Sequence, residues 1–208
     1  PRPLAIDQLH GIFQAPLADR QLARYRDTES GVSPMSIPGM PGGIYQTNGL
    51  EHDEVGRPTA MFATHEKMNA KRFRKLDAIA KKYPLFYRYG PELAELGIVC
   101  WGSSAGPVRE AVEILNGRGF HVAAFVPRML MPLPLGELSS FLASCNQILV
   151  MELSHSKQFY RYLRTELDLP QATSVHARSG GKPLSVSEIV RQVELRLASV
   201  CALEEVVS

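Results

Sequence analysis

Gly102-Ser103-Ser104-Ala105-Gly106 is the run whose residue types and spacing come nearest to a reactive centre. It fits Gly-x-Ser-x-Gly, the turn on which a hydrolase raises a nucleophilic serine between a strand and a helix. A triad also needs an acid and a histidine beside Ser104. His121, His155 and His176 fall in or beside expected strands and one helix start, with no evident triad loop. Two milder readings stand beside this one. The free amides of a helix beginning here, with Pro107 and Arg109 in its first turn, suit a phosphate or carboxylate. A plain strand-to-helix turn needs no ligand and is the simpler reading. The run is neither a Walker loop nor a Gly-x-Gly-x-x-Gly fingerprint, so it implies no nucleotide.

A second polar cluster is Glu51-His52-Asp53-Glu54. Carboxylates and imidazole suit several divalent ions, but adjacent positions rarely converge on one ion, so a polar loop bonded to a neighbouring chain is the favoured reading. Glu152 ends an apolar run, where open α/β sheets place ligands, and a satisfied structural carboxylate accounts for it equally well. Cys100, Cys145 and Cys201 are scattered and odd in number. They suggest no disulfide framework, zinc knuckle or four-thiolate cluster, and a reducing, cytoplasmic setting is expected. Neither a metal site nor a cofactor bound by this chain alone is expected.

The elements that must position these residues follow from periodicity. Residues 97–101 are an apolar run of strand length, and Val108, Ala111, Val112 and Leu115 mark one helical face. Phe120 to Val126 reads as the next strand, so residues 97–126 form a βαβ unit with a parallel pair. Two more units follow: helix 135–143 with strand 147–152, and helix 157–167 with strand 172–177. A final helix carries Val186, Ile189, Val190, Val193, Leu197 and Val200, with Ser185 or Ser187 as cap. The expected fold class is α/β, a three-layer αβα domain with a mostly parallel sheet.

Residues 1–63 differ. Three prolines between Ser33 and Gly43 exclude a helix or central strand, and the stretch reads as an extended N-terminal arm ordered by packing on a neighbour. The αβα domain is expected over 64–208, opening with a basic helix from Thr64, as N-cap, to Tyr83. Its apolar positions are Met68, Phe73, Leu76, Ile79 and Ala80. With no aromatic platform among its lysines and arginines, that helix reads as a solvated or subunit-facing element.

The 208 residues carry a formal charge of +2 and 45% hydrophobic residues, enough for a substantial core but no global field for nucleic acid or acidic membranes. No apolar stretch approaches the roughly 20 residues that span a bilayer. The start at Pro1 suggests a fragment that follows a missing upstream domain.

In sequence order, Tyr25 to Pro34, Ile37-Pro38-Gly39, Gly49 to Gly56, His65-Glu66-Lys67-Met68, Lys71 to Leu76, Trp101 to Ala111, Pro132-Leu133-Pro134 and Glu152 to Gln158 together resemble the carboxy-terminal region of 2-oxoacid:ferredoxin oxidoreductase alpha subunits, in particular those acting on 2-oxoglutarate. The later pieces resemble the transketolase carboxy-terminal-type domain of those subunits. The chain departs from the pattern at Met35, where a basic residue often follows Ser-Pro. It departs again at Ser154-His155-Ser156-Lys157-Gln158, where relatives often have an Asn-Tyr-Ser-Gly-Gln-like run. The resemblance implies oxidative decarboxylation of a 2-oxoacid by an oligomer that uses thiamine diphosphate, magnesium, coenzyme A and an iron-sulfur cluster, these groups being held mainly by other subunits or an earlier alpha domain. It implies a beta subunit as partner, a gamma subunit as a further candidate, and ferredoxin reached through the complex. The implied role is that of a non-catalytic assembly module, inactive alone. Glu51 to Glu54 are then the first candidates for a subunit contact, and Gly102, Ser103, Ser104, Gly106 and Glu152 weaker ones. The alternatives are an interaction domain of another thiamine enzyme and, remotely, a serine hydrolase.

Overall fold

The computed structural model describes residues 22–207, with side chains through 199. The chain divides into two compact units, the first ending at Tyr83 and the second beginning at Pro84. The boundary read from sequence, between residues 63 and 64, placed the basic helix with the αβα domain; contacts place it with the arm.

In the first unit the arm lies on helix α1, Phe62–Lys82. The helix begins two residues before the expected Thr64, with Met61 at its N-cap and no side-chain cap. It stops at Tyr83, whose φ of −128° and ψ of 144° are the extended geometry that a following proline enforces. Its interior face is not the apolar stripe read from sequence. Met68 and Lys71 are buried, while Phe73 is exposed. The arm sets this face: Gly31, at φ +73°, lies so near α1 that a Cβ there would stand 2.6 Å from the Lys71 carbonyl oxygen. The Ser33 to Gly43 stretch is a run of turns pinned by the buried Ser36, whose hydroxyl donates to the Gly43 carbonyl at 2.5 Å.

The second unit is a five-stranded sheet in the order β1-β3-β2-β4-β5. Its strands are β1 (Phe86–Tyr89), β2 (Ala94–Val99), β3 (Val122–Pro127), β4 (Cys145–Glu152) and β5 (Thr173–Ala177). Strands β2 to β5 are parallel, and β1 pairs antiparallel with β3 at the edge. Sequence pattern missed β1 because Phe-Tyr-Arg-Tyr is short and lacks alternation. Helices α2 (Ala105–Gly117) and α5 (Val186–Val207) cover one face, with Val108, Ala111, Val112, Leu115, Ile189 and Val193 buried against Leu96, Ile98 and Met151. Helices α3 (Leu135–Ala143) and α4 (Gln158–Glu166) cover the other through Leu138, Phe141, Phe159 and Leu163. This is the expected three-layer αβα architecture, and the β2-α2-β3 unit is parallel as expected. Its apolar strands are buried on both faces, which is why they read as continuous hydrophobic runs. None of the described helices is long and apolar enough to cross a membrane.

Candidate functional site

The Glu51 to Glu54 loop of the first unit is a tight reversal. Asp53 N–H donates to the Arg57 carbonyl and Thr59 N–H to that of Glu51, while the Asp53 carboxylate accepts the amides of Val55 (3.0 Å) and Arg57 (2.9 Å). This is the local backbone capture that aspartate makes in turns. The Glu51 carboxylate receives the Arg72 fork at 2.8 and 3.3 Å and lies 2.8 Å from His65 Nδ1. The Arg72 hydrogen bonds foremost, and then that of His65, hold it well below its ordinary 4.5, at about 2. Glu54 pairs with Lys67 and accepts the Asp27 amide at 3.2 Å, and the Lys67 bond lowers it too. His52 is buried against the Tyr25 ring, with centroids 3.8 Å apart. All four side chains are therefore engaged inside their own unit.

The partners of this loop are the functional-looking residues that sequence reasoning missed. His65, Asn69 and Arg72 recur at i, i+4 and i+7 on α1 and form one connected row. Asn69 Nδ2 lies 3.0 Å from His65 Nε2, and Arg72 donates to Asn69 Oδ1 at 3.1 Å. That spacing was the available signal.

In the second unit, Glu152 and the Gly102 to Gly106 turn stand at the carboxyl ends of β4 and β2. Glu152 is 1% exposed, and its two carboxylate oxygens accept the amides of Phe159 (3.0 Å) and Tyr160 (2.9 Å) in the first turn of α4. It is the structural carboxylate of the two readings: a charge that compensates a helix N-terminus. The Trp101 ring, half-exposed, lies 6.1 Å from that of Phe159 and joins the β2 end to α4. Gly102 takes φ +62°, which opens a 3-10 turn over Gly102–Ser104 leading into α2. Ser103 and Gly106 are exposed.

Ser104 is buried and has ordinary αR geometry, φ −72° and ψ −15°, not the strain of a nucleophile elbow. Among the described residues its hydroxyl bonds no histidine. His176 is instead bound to Glu188 at 2.9 Å, and Arg178 reaches the same carboxylate at 2.7 and 3.0 Å. The triad reading therefore has no geometry. The Arg178 bonds foremost, and then His176, hold Glu188 at about 2. Glu188 also accepts the Ser185 amide while Ser185 Oγ accepts that of Glu188, a reciprocal cap for α5.

Among the described residues no three His, Cys, Asp or Glu side chains are grouped to hold a metal ion. Cys100 is buried, which pushes its thiol up to about 12, and burial also raises Cys145. This donor set fits neither a magnesium diphosphate nor an iron-sulfur cluster, and no chemical step runs through such groups here.

Residues 94–189 match the family described as pyruvate:ferredoxin oxidoreductase core domain II. The alpha subunit of 2-oxoacid:ferredoxin oxidoreductase 2 from Aeropyrum pernix is 28% identical over 174 residues, 82% of this chain and 27% of that protein. The 2-oxoglutarate oxidoreductase subunit KorA of Mycobacterium tuberculosis is 34% identical over 124 residues, 54% of this chain and 18% of that protein. A solved 2-oxoglutarate:ferredoxin oxidoreductase from Magnetococcus marinus, with 2-oxoglutarate, coenzyme A and succinyl-CoA bound, superposes with a TM-score of 0.68 at 35% identity. It covers 83% of this chain and 30% of that one. This chain thus spans less than a third of the length of these relatives. The order of its elements, the parallel core over residues 94–189 and these likenesses agree: over most of its length the chain is similar to part of the alpha subunits of 2-oxoacid:ferredoxin oxidoreductases.

Proposed function

We propose that this chain is an assembly and buttressing module of a multisubunit 2-oxoacid:ferredoxin oxidoreductase of the 2-oxoglutarate type. The observation that carries the reading is the 35% identity and 0.68 TM-score to an oxidoreductase solved with 2-oxoglutarate and coenzyme A. The local chemistry supports the non-catalytic part of it. Glu51, Glu54, Glu152 and Glu188, the acids most deeply involved in either unit, are each committed to a cation or to backbone amides. Residues so committed build a rigid surface rather than transfer protons. Thiamine diphosphate, magnesium and the iron-sulfur cluster then belong to partner subunits or to other parts of the alpha subunit. Ferredoxin is reached through the complex.

The test is 2-oxoglutarate-dependent viologen reduction, with thiamine diphosphate and coenzyme A, by the full-length subunit co-purified with its neighbours. The intact complex is expected to be active, deletion of residues 90–208 to abolish turnover, and the chain alone to be inert. An intact complex without 2-oxoacid-dependent reduction would sink the reading.

A further inference from the structure

In the first unit, a pocket of about 340 Å³ is lined, among the described residues, by four cations, Arg24, Lys71, Arg72 and Lys75, and by no carboxylate. Their charges are unequally matched. Arg72 is spent on Glu51. Arg24 lies over the Tyr25 and Tyr45 rings, 5.4 and 5.6 Å from their centroids, and among the described residues forms no ion pair. Lys75 is exposed and likewise unpaired there.

Lys71 is the unusual member. It is 6% exposed, yet its ammonium donates only to neutral oxygens, the Tyr25 carbonyl at 2.6 Å and Ser33 Oγ at 3.0 Å. An ammonium carries three donors, so one remains. Among the described residues Lys71 forms no direct ion pair, and burial disfavours its charged form foremost, although Asp27 and Glu54 lie near enough to favour it. The arm builds this arrangement, since the Tyr25 carbonyl, Ser33 and the left-handed Gly31 are what close the pocket over α1.

We propose that this pocket binds a phosphate-class oxyanion, held by the third Lys71 donor together with Lys75 and Arg24. Two ammonium groups act as point charges and suit a tetrahedral dianion. A carboxylate would favour a guanidinium fork, and of the two guanidiniums at this pocket Arg72 is taken by Glu51 while Arg24 lies over the Tyr25 and Tyr45 rings, which leaves the ammonium groups as the main charges. The inference rests on the charges of this unit alone and is independent of the activity proposed above.

The test is calorimetric titration of the full chain with inorganic phosphate at low ionic strength, and with adenosine monophosphate as a phosphate monoester. Saturable 1:1 binding is expected, weakened by salt. Lys75→Gln and Arg24→Gln should each weaken it about tenfold, the effect of one lost charge-assisted bond, and Lys71→Met more. Equal affinity for both probes identifies free phosphate as the ligand. Tighter monoester binding identifies a larger phosphorylated one. Lys71→Met also removes the arm's tether, so Lys75→Gln, at an exposed position, decides the matter if that variant fails to fold. The proposal is overturned by absent phosphate binding, by binding indifferent to Lys75→Gln and Arg24→Gln, or by binding of 2-oxoglutarate without phosphate.

Discussion

Replacing Glu152 by alanine should cost the second unit about 2–4 kcal/mol. The figure follows from what the carboxylate touches. It accepts two amides of the α4 first turn at 3.0 and 2.9 Å inside a site that is 1% exposed, so its loss leaves two buried donors unpaired where water does not reach. Each charge-assisted bond is worth about 1.5–3 kcal/mol net, and the favourable meeting of a charge with a helix N-terminus adds up to about 2 in buried geometry. Against this, removing a buried charge recovers part of its desolvation cost, which brings the sum down to the stated range. Glu152→Gln should fall between, because an amide has one acceptor oxygen and turns its NH2 toward the second donor. Urea unfolding of the chain gives the energies, and hydrogen exchange at Phe159 and Tyr160 localises the loss. An alanine variant within about 0.5 kcal/mol of wild type, with those amides still protected, would refute the assignment of Glu152 as the cap of α4 and restore a ligand role for it.

Further outcomes follow from the same bonds. Glu188, held at about 2, binds protons less readily folded than unfolded, so its stabilisation is full above pH 4.5 and is lost as pH falls toward 2. With screening discounted, that is about 1–2 kcal/mol, and Glu188→Gln should flatten that part of the acid-unfolding curve. Gly97→Ala should cost about 1–3 kcal/mol in thermal unfolding, since its Cβ would come within 2.6 Å of Cys145 Sγ and 2.9 Å of the Phe141 ring. Lys157→Gly should stabilise by about 0.5–1 kcal/mol, because Lys157 takes φ +55° just before α4, a conformation that costs a side chain and not glycine. Cys100 should resist thiol reagents at pH 8 until the chain unfolds, and rapid native labelling there would contradict its burial.

The sequence reading succeeded where a residue's fate depends on its near neighbours. The α2 face, the parallel β2-α2-β3 unit and the bounds of α3 emerged as read, because period and turn chemistry are local quantities. The left-handed backbone at Lys157, just before α4, was not anticipated by that local reading. Ser104 shows the opposite case: the motif was present, but a nucleophile is defined by a histidine distant in sequence, and among the described residues none is bonded to it.

The acids were illegible for the same reason. Glu51 is 21 residues from Arg72, Glu54 is 13 from Lys67, and Glu152 is 7 and 8 from the amides it caps. As a string, Glu51-His52-Asp53-Glu54 offers surplus charge and invites a metal or partner. In the folded unit each of those acids is already answered, two by α1 cations and Asp53 by backbone. A polar run is informative about function only after its internal partners have been subtracted. By that measure positive charge is left over beside Arg72, where Lys71 and Lys75 line the pocket with no acid among its described residues. The basic helix that composition presented as a solvated face is thus divided between cations that hold the arm's carboxylates and cations that hold none.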